Sequence, residues 1–169
     1  FSSGAKEGWV RTSLWQPQIV IGNDGKYYLY YCGNNDDSSL RIGVAVADSI
    51  TGPYKDALGQ PLLAYDYATI DPNLFTDDDG RMYLYFAKDC SENRVDGHPT
   101  SQLYCIEMED YIKIKEGTDP VLVATPEQEW EFASGDYRWN EGPDILKHDG
   151  KYYLFYSSGC YADSTYSIG

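Results

Sequence analysis

The sequence predicts an all-β chain of repeated antiparallel sheets, and three observations carry that prediction. The first is an internal repeat. Pro17 is followed by Ile19-Val20-Ile21, Asp24-Gly25 and Lys26-Tyr27-Tyr28-Leu29-Tyr30-Tyr31. Pro72 is followed by Leu74-Phe75-Thr76, Asp79-Gly80 and Arg81-Met82-Tyr83-Leu84-Tyr85-Phe86. Pro143 is followed by Ile145-Leu146, Asp149-Gly150 and Lys151-Tyr152-Tyr153-Leu154-Phe155-Tyr156. The glycine stands eight residues after the proline in the first two copies and seven after it in the third. The second observation is the aromatic content of 15%, with 17 tyrosines, which suits pleated, half-buried surfaces. The third is that no stretch of ten or more residues shows a convincing helical period.

Copies spaced 55 and 71 residues apart match the blades of a β-propeller, each an antiparallel four-stranded sheet set radially about an axis. The expected blades cover about residues 1–66, 67–126 and 127–169. Propellers need roughly four to eight blades to close. The expectation is therefore that blades are missing from both ends, or that two copies of the chain associate, with truncation the simpler of the two.

In chain order, residues 1–14 are polar and lead into Trp15-Gln16-Pro17. Asn23-Asp24-Gly25 is a hairpin turn. Leu40 to Ala47 is an apolar strand in which Gly43 permits close packing, Gly52-Pro53 marks a turn, and the first unit closes near Leu62-Leu63. The second unit opens at Thr69-Ile70-Asp71-Pro72 and turns at Asp77-Asp78-Asp79-Gly80. It carries a long polar insertion from Lys88 to Ser101, then resumes as the strand Gln102 to Met108. The third unit turns at Asp149-Gly150, and its ending, Tyr166-Ser167-Ile168-Gly169, echoes Arg41-Ile42-Gly43, so the chain is expected to stop inside a strand.

A net charge of −14 argues against nucleic acid and anionic membranes as partners, since both repel such a surface. No apolar run approaches the roughly 20 residues that span a bilayer, which predicts a soluble protein. Cys32, Cys90, Cys105 and Cys160 have no metal-ligand spacing; they are blade positions, either free thiols or including a disulfide. Targeting information is out of view, with a secreted or periplasmic setting favoured over a cytoplasmic one.

The innermost strand of every blade runs beside the central channel, so equivalent positions of successive blades converge. The pre-proline pairs are Trp15-Gln16, Ile70-Asp71 and Glu141-Gly142. A proline disfavours helical geometry in the residue before it, which predicts an extended Asp71. Two carboxylates distant in sequence, Asp71 and Glu141, are thus expected to meet near the axis. Such a set suits glycoside hydrolysis, in which one acid stays protonated and others stay ionised.

Four stretches carry a resemblance: Trp15-Gln16-Pro17-Gln18, Ile42 to Pro53, Ile70 to Gly80, and Glu141-Gly142-Pro143. Together, in order and at blade spacing, they resemble glycoside hydrolase family 43. The resemblance implies a five-bladed propeller and an inverting arabinanase, arabinofuranosidase or β-xylosidase acting on pentose-containing plant cell-wall saccharides. It implies Glu141 as general acid, Asp71 as the carboxylate that tunes and holds that acid, and Trp15 as an aromatic wall of the sugar subsite. Gln16, Arg138 and Trp139 flank these motifs as candidate substrate-binding residues, and Trp130 could shape a subsite.

The general base of the family lies upstream of the Trp-x-Pro motif, and none of the 14 residues before Trp15 is an Asp. The chain is therefore expected to lack its base, and Gln18 stands where relatives often carry an acid. No cofactor is expected; a structural calcium in the channel occurs in some relatives, but no ligand set for one is visible.

Each motif also has a plainer meaning. Asp-Pro and Glu-Gly-Pro by themselves are turn devices, and Trp15 is equally well a core aromatic. Asp77-Asp78-Asp79-Gly80 opens like a calcium loop but lacks the downstream Glu, so it reads as a hairpin turn. His98 and His148 fall in polar segments and read as surface residues, while Tyr27, Tyr28, Tyr152 and Tyr153 read as blade packing. A base-lacking propeller that only binds carbohydrate is the rival to an enzyme.

Overall fold

A computed structural model describes residues 8–132 and 135–169; the polar lead-in of residues 1–7 lies outside them. The first sheet joins β1 (Thr12–Ile21), β2 (Tyr27–Asn34), β3 (Leu40–Ala47) and β4 (Lys55–Asp56) in that order. The second is built from β5 (Thr69–Thr76) and β6 (Met82–Lys88), followed by a separate hairpin of β7 (Arg94–Val95) and β8 (His98–Pro99). Its outer part is β9 (Gln102–Asp110), flanked by β10 (Lys113–Ile114) and β11 (Val121–Ala124). A 3-10 helix, Glu129–Phe132, leads to the third sheet, β12 (Asn140–His148), β13 (Lys151–Ser158) and β14 (Ser167–Ile168). Within these sheets every pairing of named strands is antiparallel. No helix among the described residues is long and apolar enough to cross a membrane.

The glycine spacing of the repeat sets the hairpins. Eight residues after the proline leave a three-residue loop in the first two sheets. It ends in left-handed Gly25 (φ 78°) and Gly80 (φ 84°), and is closed by Gly25 N to Gly22 O at 2.9 Å and Gly80 N to Asp77 O at 2.9 Å. The third copy is one residue shorter. Asp149 (φ 49°) and Gly150 (φ 72°) alone join the paired residues His148 and Lys151, a turn that requires positive φ at both positions.

The core lies between the first two sheets. Tyr30, Ile42, Leu63, Leu84, Phe86 and Leu103 are fully buried there. The opposite face of the first sheet is covered too: Leu29, Tyr31 and Ala45 pack under Trp9 and Val10. Both faces being buried explains why β2 and β3 read as continuous rather than alternating apolar runs. The lead-in expected to be polar thus contributes two core residues. Gly43 is required by this packing, because a β-carbon there would sit 2.5 Å from Trp9 Cζ2 and 2.8 Å from Tyr31 Cζ.

Neighbouring sheets are stitched at their inner strands. Gln18 takes the Leu74 N–H at 2.6 Å and returns its own amide to Leu74 O at 3.3 Å. One sheet on, Asn73 Nδ2 donates to Asp144 Oδ1 at 3.1 Å. Asp77 accepts from Lys147 and from the Tyr152 hydroxyl, and the lysine's hydrogen bond holds its carboxyl down at about 2. All three carboxylates of this turn are so engaged, with Lys147 also 2.8 Å from Asp78 and Arg81 2.7 Å from Asp79.

Gly43→Val should lower the melting temperature by an amount equivalent to about 1–3 kcal/mol, the usual cost of overpacking. Thermal unfolding followed by near-ultraviolet dichroism of the Trp9 and Tyr31 rings checks it; an unchanged midpoint would refute the packing requirement.

Candidate active site

All three inner strands carry the same irregularity. Trp15 to Gln18, Ile70 to Asn73 and Glu141 to Asp144 each oppose one residue fewer on the neighbouring strand. The extra residue falls at the X-Pro pair, where proline has no N–H to give to the ladder. The residue before each proline is left-handed: Gln16 at φ 46°, Asp71 at 56° and Gly142 at 59°. The expectation of an extended Asp71 is therefore corrected, because the bulge, and not the proline alone, decides the backbone here.

The bulges bring Gln16, Asp71 and Gly142 together along a cleft of about 350 Å³, shared with Gln18, Asn73 and Asp144. Gly142 N donates to Asp71 Oδ2 at 2.9 Å. Asp71 is thus tied to the residue next to Glu141, and its charge reaches that carboxyl. Glu141 Oε1 accepts the Ser101 hydroxyl at 2.8 Å. Ser101 Oγ in turn accepts the Cys90 N–H at 3.0 Å.

Both carboxyls hold their protons more tightly than usual. Burial pushes Asp71 up to about 6; the Gly142 N–H pulls the other way and the Asp89 charge adds to the rise. Burial also pushes Glu141 up to about 8, reinforced by the negative charge of Asp71 and then of Asp89, and opposed by the Ser101 hydroxyl. Near neutral pH, then, Glu141 is the group that keeps its proton, while Asp71 is the first to give one up.

Of the other expected site residues, Gln16 lines the cleft. Trp139 stands two residues before Glu141: its indole N–H donates to Cys90 Sγ at 3.1 Å and its ring stacks on Tyr137 at 5.4 Å. Arg138 is held by its backbone to Pro99 and Ser101, and its guanidinium lies 4.8 Å over the Phe132 ring. Trp15, 51% exposed, lines a separate apolar hollow with Leu14, Ile19, Tyr31 and Tyr54. Trp130 packs on Tyr156.

Three residues escaped the sequence reading: Asp89, Cys90 and Ser101. They bound the insertion from Lys88 to Ser101, which is folded inward, with Asp89, Asn93, Thr100 and Ser101 buried. Its hairpin is pinned by His98 Nδ1 to Asp136 Oδ1 at 2.6 Å. Asp89 was findable as the residue that ends the aromatic strand of its repeat; nothing in the sequence marked Ser101.

One ligand atom each from Asp89, Cys90 and Glu141 lies within 4.8 Å of the other two. A thiol with two carboxylates does not suit calcium, which takes six to eight oxygens. All four cysteines are free thiols.

Three antiparallel sheets, with two carboxyls of raised pKa at the bulges of their inner strands, define a propeller-type scaffold. The sequence profile of glycosyl hydrolases family 43 matches residues 2–169, and the chain belongs to that family. It is 29% identical to xylosidase/arabinosidase 43A of Humicola insolens, over 89% of this chain and 52% of that protein. It is 30% identical to a β-xylosidase of Xylanibacter ruminicola, over 91% of this chain and 54% of that protein. A thermostable family-43 glycoside hydrolase of known crystal structure superposes with a TM-score of 0.89 at 41% identity, covering 95% of this chain and 51% of its own. The chain thus spans about half the length of the curated relatives it matches.

Glu141 holds a proton in the folded chain that an unfolded glutamate releases above its ordinary 4.5. The stability this gives is present below that pH and is lost as pH rises toward about 8. Glu141→Gln, which cannot ionise, should therefore melt higher than the parent above pH 8, the gap closing toward pH 4.5. Calorimetry across that range checks the sign, and a gap that widens on acidification would refute it.

Proposed function

We propose that this chain carries the acid-donating half of an inverting glycosidase acting on xylose- or arabinose-containing plant cell-wall saccharides. The observation that carries the proposal is Glu141: a half-buried glutamate that keeps its proton near neutral pH beside a second half-buried carboxylate. The names of the two curated relatives support the pentose class.

In this mechanism Glu141 gives its proton to the glycosidic oxygen as the bond to the anomeric carbon breaks. A water oxygen bonds to that carbon from the opposite face, and the water's proton passes to a second carboxylate. Asp71 keeps Glu141 protonated and, through the Gly142 N–H, holds the strand that bears it. The second carboxylate of an inverting pair stands about 6.5–9.5 Å from the acid. Asp89, within 4.8 Å of Glu141, is too near to stand across a sugar ring. The proposal assigns the base to none of the residues of this site. Gln16, which lines the cleft, and Trp139, whose indole reaches Cys90, are the side chains proposed to meet the sugar.

Glu141→Gln should cut kcat at least a hundredfold on natural pentosides and far less on dinitrophenyl glycosides, whose leaving group needs no proton. Equal losses on both would overturn the acid role. Activity should fall as pH rises through about 8, where Glu141 ionises. Asp71→Asn removes a charge that favours the protonated acid, so this basic limb should move to lower pH; a limb that stays in place would count against the tuning role.

A further inference from the structure

We propose that Ser101 is a positioning residue for Glu141, fixing one carboxyl oxygen as an acceptor so that the transferable proton resides on the other. The proposal rests on Glu141 being the general acid. Ser101 is fully buried and locked from several sides. Its N–H donates to Arg138 O at 2.8 Å, and its carbonyl accepts the Asn140 N–H at 3.2 Å. The backbone on both sides of Trp139, leading into Glu141, is thereby fastened to this one residue.

The hydroxyl both accepts and donates. Ser101 Oγ accepts the Cys90 N–H at 3.0 Å and donates its own proton to Glu141 Oε1, 2.8 Å away. Oε1 is then occupied as an acceptor. A neutral Glu141 carries its proton on Oε2, and the glycosidic oxygen must approach from that side. The same turn steadies the adjacent aromatic, since Cys90 Sγ accepts the Trp139 indole N–H.

Ser101 and Asp89 act on Glu141 with opposite sign. The hydroxyl favours the ionised form, whereas the Asp89 charge disfavours it. A residue that merely packs would not separate these effects, and this opposition supplies the test.

The carboxyl carbon of Glu141 is followed by isotope-edited NMR through a pH titration of the folded chain, with Glu141→Gln identifying the resonance. Ser101→Ala should move the titration to higher pH and Asp89→Asn to lower pH. Where nitrophenyl pentosides are hydrolysed, Ser101→Ala should lower kcat roughly tenfold, the worth of one hydrogen bond to a charged group, with KM nearly unchanged. Its loss should shrink on dinitrophenyl substrates, and its basic limb should follow the NMR shift.

A Ser101→Ala titration that stays put or moves down overturns the proposal. So does a kcat unchanged on poor leaving groups. If Ser101→Ala does not fold, Ser101→Cys preserves the volume with a weaker donor, and an unshifted titration there is equally fatal. Failure of the acid role is seen separately: Glu141→Gln would hydrolyse poor leaving groups like the parent, while the Ser101→Ala titration still shifted.

Discussion

The structure depends on a backbone slip repeated three times. At Gln16-Pro17, Asp71-Pro72 and Gly142-Pro143 the inner strand gains one residue over its neighbour, and the residue before the proline turns left-handed. An L-residue in that region costs of order 1–3 kcal/mol unless its surroundings fix it. Here they do. Asp71 has its carboxylate on the Gly142 N–H, and the stitches from Gln18 to Leu74 and from Asn73 to Asp144 pin the strand one residue beyond each slip. The same feature that breaks the ladder frees the N–H that organises the candidate site.

That arrangement sets the electrostatics. Asp71, Asp89 and Glu141 lie close enough for their charges to act on one another, with burial adding to the effect at Asp71 and Glu141. Two full charges about 5 Å apart repel by roughly 3 kcal/mol even at an effective dielectric of about 20. Ionising all three is therefore the expensive state, and the site avoids it by leaving one protonated. Glu141 is that one, because it lacks the backbone N–H that Asp71 receives. Its single hydroxyl contact is a weaker counterweight than burial and two nearby negative charges combined. A carboxyl that is protonated at neutral pH thus emerges from competition among carboxylates.

How much of this was legible in the sequence follows from which interactions are local. The proline, the Asp-Gly turn and the aromatic strand repeat because each blade needs them, so the all-β propeller arc and the pairing of Asp71 with Glu141 could be read from residue types alone. The shift of glycine from eight to seven residues after the proline was visible too, but the change from a three-residue to a two-residue loop that it produces was not drawn from it. The pre-proline backbone was misjudged, because a dipeptide preference cannot register a bulge that depends on pairing with the neighbouring strand. Trp9 and Val10 were passed over inside a polar stretch. Ser101 was illegible for a different reason: its role comes from the insertion folding back across 40 residues onto Glu141, and a serine in a polar loop carries no pattern.

The repeat also shows how equivalent positions come to differ chemically. At the slip itself stand Gln16, Asp71 and Gly142. Only the last is a glycine, and it is there that a backbone N–H must face a carboxylate of the preceding sheet while Ser157 Oγ and Gln16 Nε2 stand 3.3 and 3.8 Å from where a β-carbon would be. One residue after the proline stand Gln18, Asn73 and Asp144. Gln18 both gives and takes a hydrogen bond with Leu74, which an acid, able only to accept when ionised, could not do. Asp144 needs only to accept from Asn73, and there a carboxylate serves. Each departure from strict repetition is thus set by whether the facing group donates, accepts or does both, and Glu141 lies beside the slip where the backbone supplies the donor.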